Sequence, residues 1–178
     1  MRASRAALQY VRCLLRSEPS PLLPRFSVRS AGAEDIGALV LLMHEFYSES
    51  GFQLDHGWAE SSFQSMLASP ALGALWLART GVESVGHAVL SVRYAMEFGG
   101  LIGYIDDLYV KPKYRGMGAG SALLAALYAE CRSRSCKSVQ VEVGDSNTPA
   151  LALYSKFGLE SADDGRILLA GALREAGA

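Results

Sequence analysis

The sequence has few cysteines, no long apolar run and almost no net charge, and each of these absences excludes a class of protein. Its three cysteines among 178 residues form neither a C-x-x-C pair nor an even disulfide framework, so we expect free thiols. No apolar run approaches the roughly 18 residues that a membrane-spanning helix needs. The formal net charge of −1 gives no indication of a nucleic-acid or membrane-surface partner.

The residues that usually build metal and hydrolase sites also lack the required spacing. His44, His56 and His87 have no second ligand at helical or turn spacing, so we expect no bound metal. There is no Gly-x-Ser-x-Gly turn that would position a nucleophilic serine. What remains is an ordinary globular composition, 50% hydrophobic and 20% charged, in a chain long enough for one domain with a sizeable core.

The most informative segment is a glycine-rich run that follows a predicted strand. Residues 104–110 are largely aromatic and β-branched, which favours a strand, and Pro112 between two lysines ends it. The run Arg-Gly-Met-Gly-Ala-Gly at 115–120 then opens a segment with helical spacing of apolar residues. Glycines at a helix N-terminus expose unpaired N–H groups beside the positive end of the helix dipole, so this segment predicts an anion site.

The anion site does not match the two commonest phosphate-binding sequences. The pattern Gly-x-x-x-x-Gly-Lys-Ser/Thr is absent, which excludes a P-loop. The glycines run G-x-G-x-G, and residues 111–115 separate them from the strand, which makes a poor dinucleotide-binding fingerprint.

A second patterned segment lies downstream. Residues 139–143 alternate apolar and polar side chains and predict a strand. The next predicted helix has Thr148 as its cap, Pro149 at its first position and Gly158 just past its end.

Together the two segments resemble the two main motifs of the GNAT superfamily of acyl-CoA-dependent N-acetyltransferases. The pyrophosphate loop Arg/Gln-x-x-Gly-x-Gly/Ala is matched by Arg115, Gly118 and Gly120. The pattern Asn-x-x-Ala-x-x-Leu-Tyr-x-x-x-Gly-Phe is matched, in order, by Asn147, Ala150, Leu153, Tyr154 and Gly158. Leu159 stands where the family usually has Phe, and the resemblance covers about residues 26–172.

The resemblance implies the GNAT fold, an α/β (α+β) architecture with a mixed central sheet and helices on both faces. The predicted order of elements is β, α, α, β, β, β, α, β, α, β, which agrees with it. Predicted strands cover residues 26–29, 75–78, 85–94, 104–110, 139–143 and 167–170.

The resemblance also implies acetyl-CoA as co-substrate, without a metal. The strand backbone would hold the pantetheine arm, the glycine loop the pyrophosphate, and an asparagine the pantetheine from the other side. The implied residues are Leu108, Tyr109, Val110, Arg115, Gly116, Met117, Gly118, Ala119, Gly120, Ser121 and Asn147. The N–H group of Val110 would be the donor to the oxyanion.

Three further residues are catalytic candidates. By its motif position, Tyr154 would protonate the departing thiolate. Asp106 and Asp107 stand where the spermidine/spermine acetyltransferases carry Glu-Asp, which suggests a small cationic amine as acceptor. Because successive strand residues face opposite sides, we expect at most one of the two carboxylates to face the acceptor. The family's acceptor region corresponds here to Tyr47, Glu49 and Phe52, with Asp55 as a further candidate.

The predicted activity is transfer of an acetyl group from acetyl-CoA to a primary amine, such as a polyamine. An aminoglycoside, an amino acid, or a protein or peptide amine stays open as the acceptor. A non-catalytic acyl-CoA sensor is the alternative from a different class. A small-molecule amine is the expected partner, and a homodimer is possible.

The first 25 residues differ in character from the rest. Four arginines precede the first acidic residue, Glu18, and the apolar residues have helical spacing, as in an organelle transit peptide. An unstructured extension or an upstream start codon is the alternative. We expect an extension over residues 1–25, one domain over 26–172 and a tail over 173–178. The predicted location is cytoplasmic, or an organelle matrix such as the mitochondrial one if the extension is a transit peptide.

Overall fold

The computed structural model describes residues 26–161 and residue 171. These residues form a five-stranded sheet in the order β1-β2-β3-β4-β5. The strands are β1 (Ser27–Ser30), β2 (Gly73–Thr80), β3 (Glu83–Ala95), β4 (Gly100–Val110) and β5 (Ser138–Val141). The helices are α1 (Ile36–Glu49), α2 (His56–Ala68), α3 (Ala119–Ser133) and α4 (Thr148–Ser155). Short 3-10 turns precede α1, join β3 to β4, and follow β4.

The helices cover both faces of the sheet, as alternation along the strands requires. On one face, α1 and α2 bury a cluster that includes Leu39, Leu42 and Phe63 against Leu77 of β2. On the other, α3 and α4 pack against alternate residues of the same strands, such as Leu90. The mixed sheet with helices on both faces confirms the predicted fold class.

The direction of pairing changes within the sheet. β1 to β4 pair antiparallel, whereas β4 and β5 are parallel because α3 carries the chain back across one face. The β4–β5 pairing runs only from Ile102↔Ser138 to Ile105↔Val141. Residues 106–110 of β4 therefore continue without a β5 partner, and a cleft opens between the two strands.

A β-bulge lies at the point where this separation begins. In the β3–β4 register Val89 pairs with Asp107 and Leu90 pairs with Ile105, so that Asp106 has no partner on β3. One extra residue in a strand interrupts the alternation of its side chains and bends the strand. The bulge therefore changes the side to which the Asp106 carboxylate points.

Most of the predicted helices and strands within the described residues are present, but the residue predicted to cap α4 is wrong. Thr148 is the first residue of α4, and the cap is Asn147, whose side-chain oxygen accepts the Ala150 N–H at 3.3 Å. Asparagine is among the best cap residues, and proline at the second position is compatible with it. Gly158 has φ +78° just past the helix, as predicted. The predicted strand at 167–170 lies outside the described residues.

We predict that a chain starting at Arg25 folds with the melting temperature of the full chain. Both sequence motifs and all the described strands lie at Phe26 or beyond. In the shortened chain, Phe26→Ala should lower the free energy of unfolding by about 3 kcal/mol, because its ring is buried and meets Tyr114 edge-on at 6.1 Å. Thermal unfolding measures the melting temperatures, and urea unfolding measures the free energy lost in Phe26→Ala. A lower melting temperature after the truncation alone would contradict the predicted domain boundary.

Candidate active site

A cavity of about 630 Å³ occupies the space between β4, the glycine loop, α4 and the end of α1. Its lining includes Tyr154, Glu49 and most of the residues predicted to hold acetyl-CoA. Those predicted residues are Leu108, Tyr109, Val110, Arg115, Gly116, Gly118, Gly120, Ser121 and Asn147. The structure therefore brings the two sequence motifs, about 30 residues apart in the chain, onto one cavity.

Several predicted residues do not line this cavity. Ala119 is buried in the core, and the Met117 side chain is 41% exposed outside the cavity. The catalytic candidates Asp106 and Asp107 lie outside the lining, as do the acceptor candidates Tyr47, Phe52 and Asp55. Lining residues that the sequence reasoning missed are Phe46, Ser50, Pro149, Ala150, Ala152, Leu153 and Lys156. Ala150 and Leu153 belong to the downstream motif, which could therefore have indicated them. The spacing of Phe46 in the sequence predicts only a core position on α1.

The glycine loop has the backbone geometry of an anion site. Gly116 and Gly118 have φ of +71° and +99°, and a Cβ at either position would meet no atom within 4 Å. Their conformations favour glycine, and open space lies beside the backbone. The Arg115 N–H donates to the Pro112 oxygen, and the next N–H with a backbone acceptor is that of Ala122, which donates to the Gly118 oxygen. The N–H groups of residues 116–121 between them remain available to a ligand.

The free edge of β4 presents backbone groups to the same cavity. The Lys111 N–H donates to the Val85 carbonyl on β3, so the alternation of an antiparallel strand directs Leu108 and Val110 away from β3, toward the cleft. The Val110 carbonyl accepts a hydrogen bond from Arg115 Nε at 2.8 Å. Of the two Val110 backbone groups, the N–H is the one left for a ligand.

Arg115 and Glu49, predicted for two different ligands, bind each other. Arg115 Nη2 lies 2.6 Å from Glu49 Oε2, and the Tyr109 hydroxyl donates to Glu49 Oε1 at 2.7 Å. Partial burial acts to raise the pKa of Glu49, but the hydrogen bonds from Arg115 and Tyr109 lower it overall. Burial and the Glu49 carboxylate raise the pKa of Tyr109, so its hydroxyl stays protonated and donates. The network joins the end of α1 to the loop.

Lys156 is a second cation on the cavity wall. It follows the last residue of α4, and no ion pair with it is found among the described residues. With the guanidinium of Arg115 already paired to Glu49, Lys156 is the lining cation whose charge is not already neutralised. A negatively charged ligand in this cavity would therefore meet both the loop N–H groups and Lys156.

Tyr154 lies on the α4 wall and is 7% exposed. Burial, and then the charge of Asp107, raise the pKa of Tyr154 to about 12. The phenol is therefore protonated at neutral pH, and its hydroxyl has no hydrogen bond to protein among the described residues.

The two aspartates differ in environment but face the same side of the sheet, which contradicts the predicted opposite orientation. Asp107 is 7% exposed, and its Oδ2 lies 3.5 Å from Nε2 of the fully buried His87. Asp106 is exposed and interacts with Ser91, which shares a face of β3 with His87. The bulge is the physical reason, because it breaks the alternation between the two carboxylates.

Burial raises the pKa of Asp106, Ser91 partly offsets this rise, and the charge of Asp107 adds to it. Tyr47 of α1 is affected by the same two aspartates. Burial raises its pKa most, and the charges of Asp107 and then Asp106 raise it further. Tyr47 therefore lies near the aspartates, and Phe52 contacts its ring edge-on at 6.3 Å. Asp55 instead caps α2 by accepting the Trp58 N–H at 2.8 Å.

Comparison with known proteins identifies the family. The sequence model described as the acetyltransferase (GNAT) family matches residues 40–159, two thirds of the chain. The chain belongs to the GNAT acetyltransferase family. It is an acyl-CoA-dependent N-acetyltransferase, and the predicted family is confirmed.

Individual relatives of this GNAT protein agree with that assignment. A thialysine N-epsilon-acetyltransferase from Bos taurus is 28% identical over 144 residues, covering 75% of this chain and 83% of the relative. An integron cassette protein from the mobile metagenome of Cole Harbour Salt Marsh superposes with a TM-score of 0.74 at 40% identity, and the match covers 84% of this chain and 91% of that protein. A predicted acetyltransferase from Clostridium acetobutylicum, solved with acetyl-CoA, superposes with a TM-score of 0.68 at 22% identity, and the match covers 81% of this chain and 96% of that protein. This second likeness supports the shared fold.

Two negative findings apply to the described part of this GNAT chain. No helix within residues 26–161 combines the length and apolar character needed to cross a membrane. Within the same range, no three metal-ligating side chains are grouped so that they could hold a metal ion.

We predict that Gly118→Val weakens acetyl-CoA binding at least tenfold, about 1.4 kcal/mol. A branched side chain would fill the open space beside the loop and disfavour a φ of +99°. Gly99→Val is the matched control, because Gly99 also has positive φ and open surroundings but lies in the β3–β4 turn. Calorimetry should show near-normal affinity for the control. Equal affinities in the two folded variants would contradict the loop assignment.

Proposed function

We propose that this protein transfers the acetyl group of acetyl-CoA to the primary amine of a small cationic molecule. The observation that carries the proposal is the bulge in β4, which sets two carboxylates on the α1 face of the same strand that carries the unpaired Val110 N–H. The relatives named thialysine N-epsilon-acetyltransferase support an amine acceptor, since they match this chain over three quarters of its length.

Acetyl-CoA would lie along the free edge of β4. The loop N–H groups and Lys156 would contact the pyrophosphate, and the backbone of Leu108 and Val110 would hydrogen-bond the pantetheine amides. The Asn147 oxygen is occupied by the helix cap, so its amide N–H₂ is the group left to donate to the pantetheine. Two substrates held in one cleft gain much of the rate from orientation.

The thioester carbonyl would then point at the Val110 N–H. As the amine attacks, negative charge develops on the carbonyl oxygen, and a preorganised backbone donor stabilises it without reorganisation. Arg115 binds the Val110 carbonyl and so fixes the orientation of this peptide segment. Arg115 would thus support the site through the backbone rather than through direct contact with phosphate.

The acceptor must lose a proton before it attacks. A free amine with a pKa near 10.4 is protonated in all but about one molecule in several thousand at pH 7. Part of Asp106 reaches solvent, while the protein atoms packed around its carboxylate raise its pKa, and it lies on the same side of the sheet as Tyr47. It would attract the ammonium group and accept its proton, directly or through a water. Asp107, buried against His87, would not contact the amine.

The departing thiolate needs a proton, and Tyr154 would supply it. The acetyl group leaves sulfur for nitrogen, the proton passes from the phenol to the sulfur, and solvent or released amine protons restore the phenol. A phenol with a pKa of about 12 does this only as the C–S bond breaks and basicity develops on sulfur.

The proposed function is tested by release of free thiol from acetyl-CoA in the presence of a panel of amines. The panel contains polyamines, thialysine and lysine, aminoglycosides, and peptides with free N-terminal or lysine amines. Turnover with small cationic amines supports the proposal. Turnover with peptides alone would assign the protein to peptide acetylation, and acetyl-CoA binding without turnover of any amine would indicate a sensor.

Tyr154→Phe should lower kcat about 100-fold and leave the acetyl-CoA affinity almost unchanged, because only the hydroxyl is lost. Tyr128→Phe is the matched control, since the Tyr128 hydroxyl donates to the Phe157 carbonyl away from the cavity. The control should lose some stability and keep its kcat. A Tyr154→Phe enzyme with normal kcat would reduce Tyr154 to a packing residue.

Asp106→Asn and Asp107→Asn should have unequal effects. Asp106→Asn should lower kcat/KM for amines about 100-fold at pH 7 while acetyl-CoA binding is kept, and activity should recover as rising pH supplies free amine. Asp107→Asn should mainly lower the melting temperature, because it replaces the charged partner of buried His87. If both variants had equal, small effects on steady-state kinetics and neither changed the pH dependence, the hypothesis of an aspartate base would be wrong.

A further inference from the structure

The carboxylate of Glu49 joins three elements at one wall of the cavity. Glu49 is the last residue of α1, and its Oε2 lies 2.6 Å from Arg115 Nη2 of the glycine loop. Its Oε1 accepts the Tyr109 hydroxyl of β4 at 2.7 Å. That hydroxyl has one proton, and the alternative acceptor, Glu45 Oε2, is farther away at 3.4 Å. Each carboxylate oxygen of Glu49 therefore has a partner within the protein, although the sequence predicted this residue to contact the acceptor.

Arg115 connects Glu49 to the backbone of β4. A guanidinium is a flat, rigid fork, so a contact that fixes one of its nitrogens also sets the direction of the others. Nη2 is held by Glu49, and Cζ lies 5.6 Å from the centre of the Tyr109 ring. In this position Arg115 Nε donates to the Val110 carbonyl at 2.8 Å. Glu49 and Tyr109 together thus limit the directions in which the Arg115 side chain can point.

The Val110 carbonyl lies on the free edge of β4, on the same side as the Val110 N–H. Both groups point away from β3, because the next N–H, that of Lys111, donates to Val85 at 2.9 Å. An unpaired carbonyl oxygen there would place partial negative charge near a developing oxyanion and oppose it. The bond from Arg115 offsets that charge, and it fixes the end of a strand that has no β5 partner beyond Ile105.

Stability alone does not explain this network. The side chains of Arg115 and Glu49 are 48% and 39% exposed, and ion pairs with this exposure stabilise a fold little. Holding a long arginine side chain in one rotamer also costs conformational entropy. The main consequence of the network is a fixed position of Arg115 Nε against the Val110 carbonyl.

We propose that Glu49 is a positioning residue for acetyl transfer, which acts through Arg115 to hold the Val110 segment with its N–H toward the thioester carbonyl. This inference rests on the proposed role of the Val110 N–H as the oxyanion donor. Glu49 would contact neither acetyl-CoA nor the amine, and the Tyr109 hydroxyl would orient the Glu49 carboxylate.

The first test follows the Val110 carbonyl by NMR in the full chain and does not require turnover. The resonance of the Val110 carbonyl carbon should move upfield in Glu49→Ala, because the hydrogen bond from Arg115 weakens. Arg115→Ala should move the same resonance at least as far in the same direction, and the double variant should move it no further than Arg115→Ala. An unmoved resonance in Glu49→Ala would overturn the proposal.

The single-turnover rate of acetyl transfer at saturating amine separates positioning from acceptor binding. Glu49→Ala should lower this rate about tenfold, less than the loss of an oxyanion donor itself, and leave the KM for the amine almost unchanged. Glu49→Gln should retain most of the rate, because its amide can still accept from Arg115 and donate to the Tyr109 oxygen. If Glu49 instead attracted a cationic acceptor, both variants would raise the amine KM, and that result would also overturn the proposal.

Glu130→Ala is the matched control for Glu49→Ala. Glu130 Oε1 accepts from Arg134 Nε at 2.8 Å. Arg134 also donates to two backbone carbonyls, those of Pro70 and Gly73. This second pair lies at the C-terminal end of α3, outside the cavity lining, so its loss should change neither the rate nor the carbonyl resonance. Equal losses of rate in the two variants would contradict the proposal. If no amine is acetylated, the proposed function fails, while the carbonyl resonance still decides the role of Glu49.

Discussion

The separation of β4 from β5 after Ile105 is the constraint on which the rest of the site depends. Up to that residue each strand satisfies the backbone of the other. Beyond it, the N–H and C=O groups of Leu108 and Val110 face a cavity, and buried backbone groups need partners. Arg115 satisfies one carbonyl and leaves the neighbouring N–H free. A sheet edge of this kind suits an extended, amide-containing ligand, because the ligand can pair with it like a strand.

The bulge at Asp106 adds charge to the same stretch of β4. It breaks the alternation of side chains, so an exposed and a buried carboxylate share the face that packs against α1. Burial raises the pKa of Asp106, hydrogen bonding to Ser91 partly offsets this rise, and the Asp107 charge adds to it. One strand thus provides backbone donors at its edge and an acid pair on its face, within five residues.

The contacts of Arg115 show how a motif residue can act through structure. Its guanidinium joins Glu49 of α1 and the Val110 carbonyl, and Glu49 in turn accepts from the Tyr109 hydroxyl. Exposed ion pairs contribute little to stability, so its value lies in geometry. The pair ties the end of α1 to the loop that starts α3. A change in that contact would move the end of α1 relative to the glycine loop.

The sequence by itself determined the family, the order of the described elements and the glycine loop, because these follow from local spacing, helix signals and backbone freedom. Tertiary structure alone decided which groups meet. Glu49 binds Arg115 across 66 positions, and His87 meets Asp107 across 20. Strand register and a one-residue bulge set these contacts, and neither is encoded in local periodicity. For that reason the sequence indicated the two aspartates as a pair but placed them on opposite faces, and it considered His87 only as a possible metal ligand.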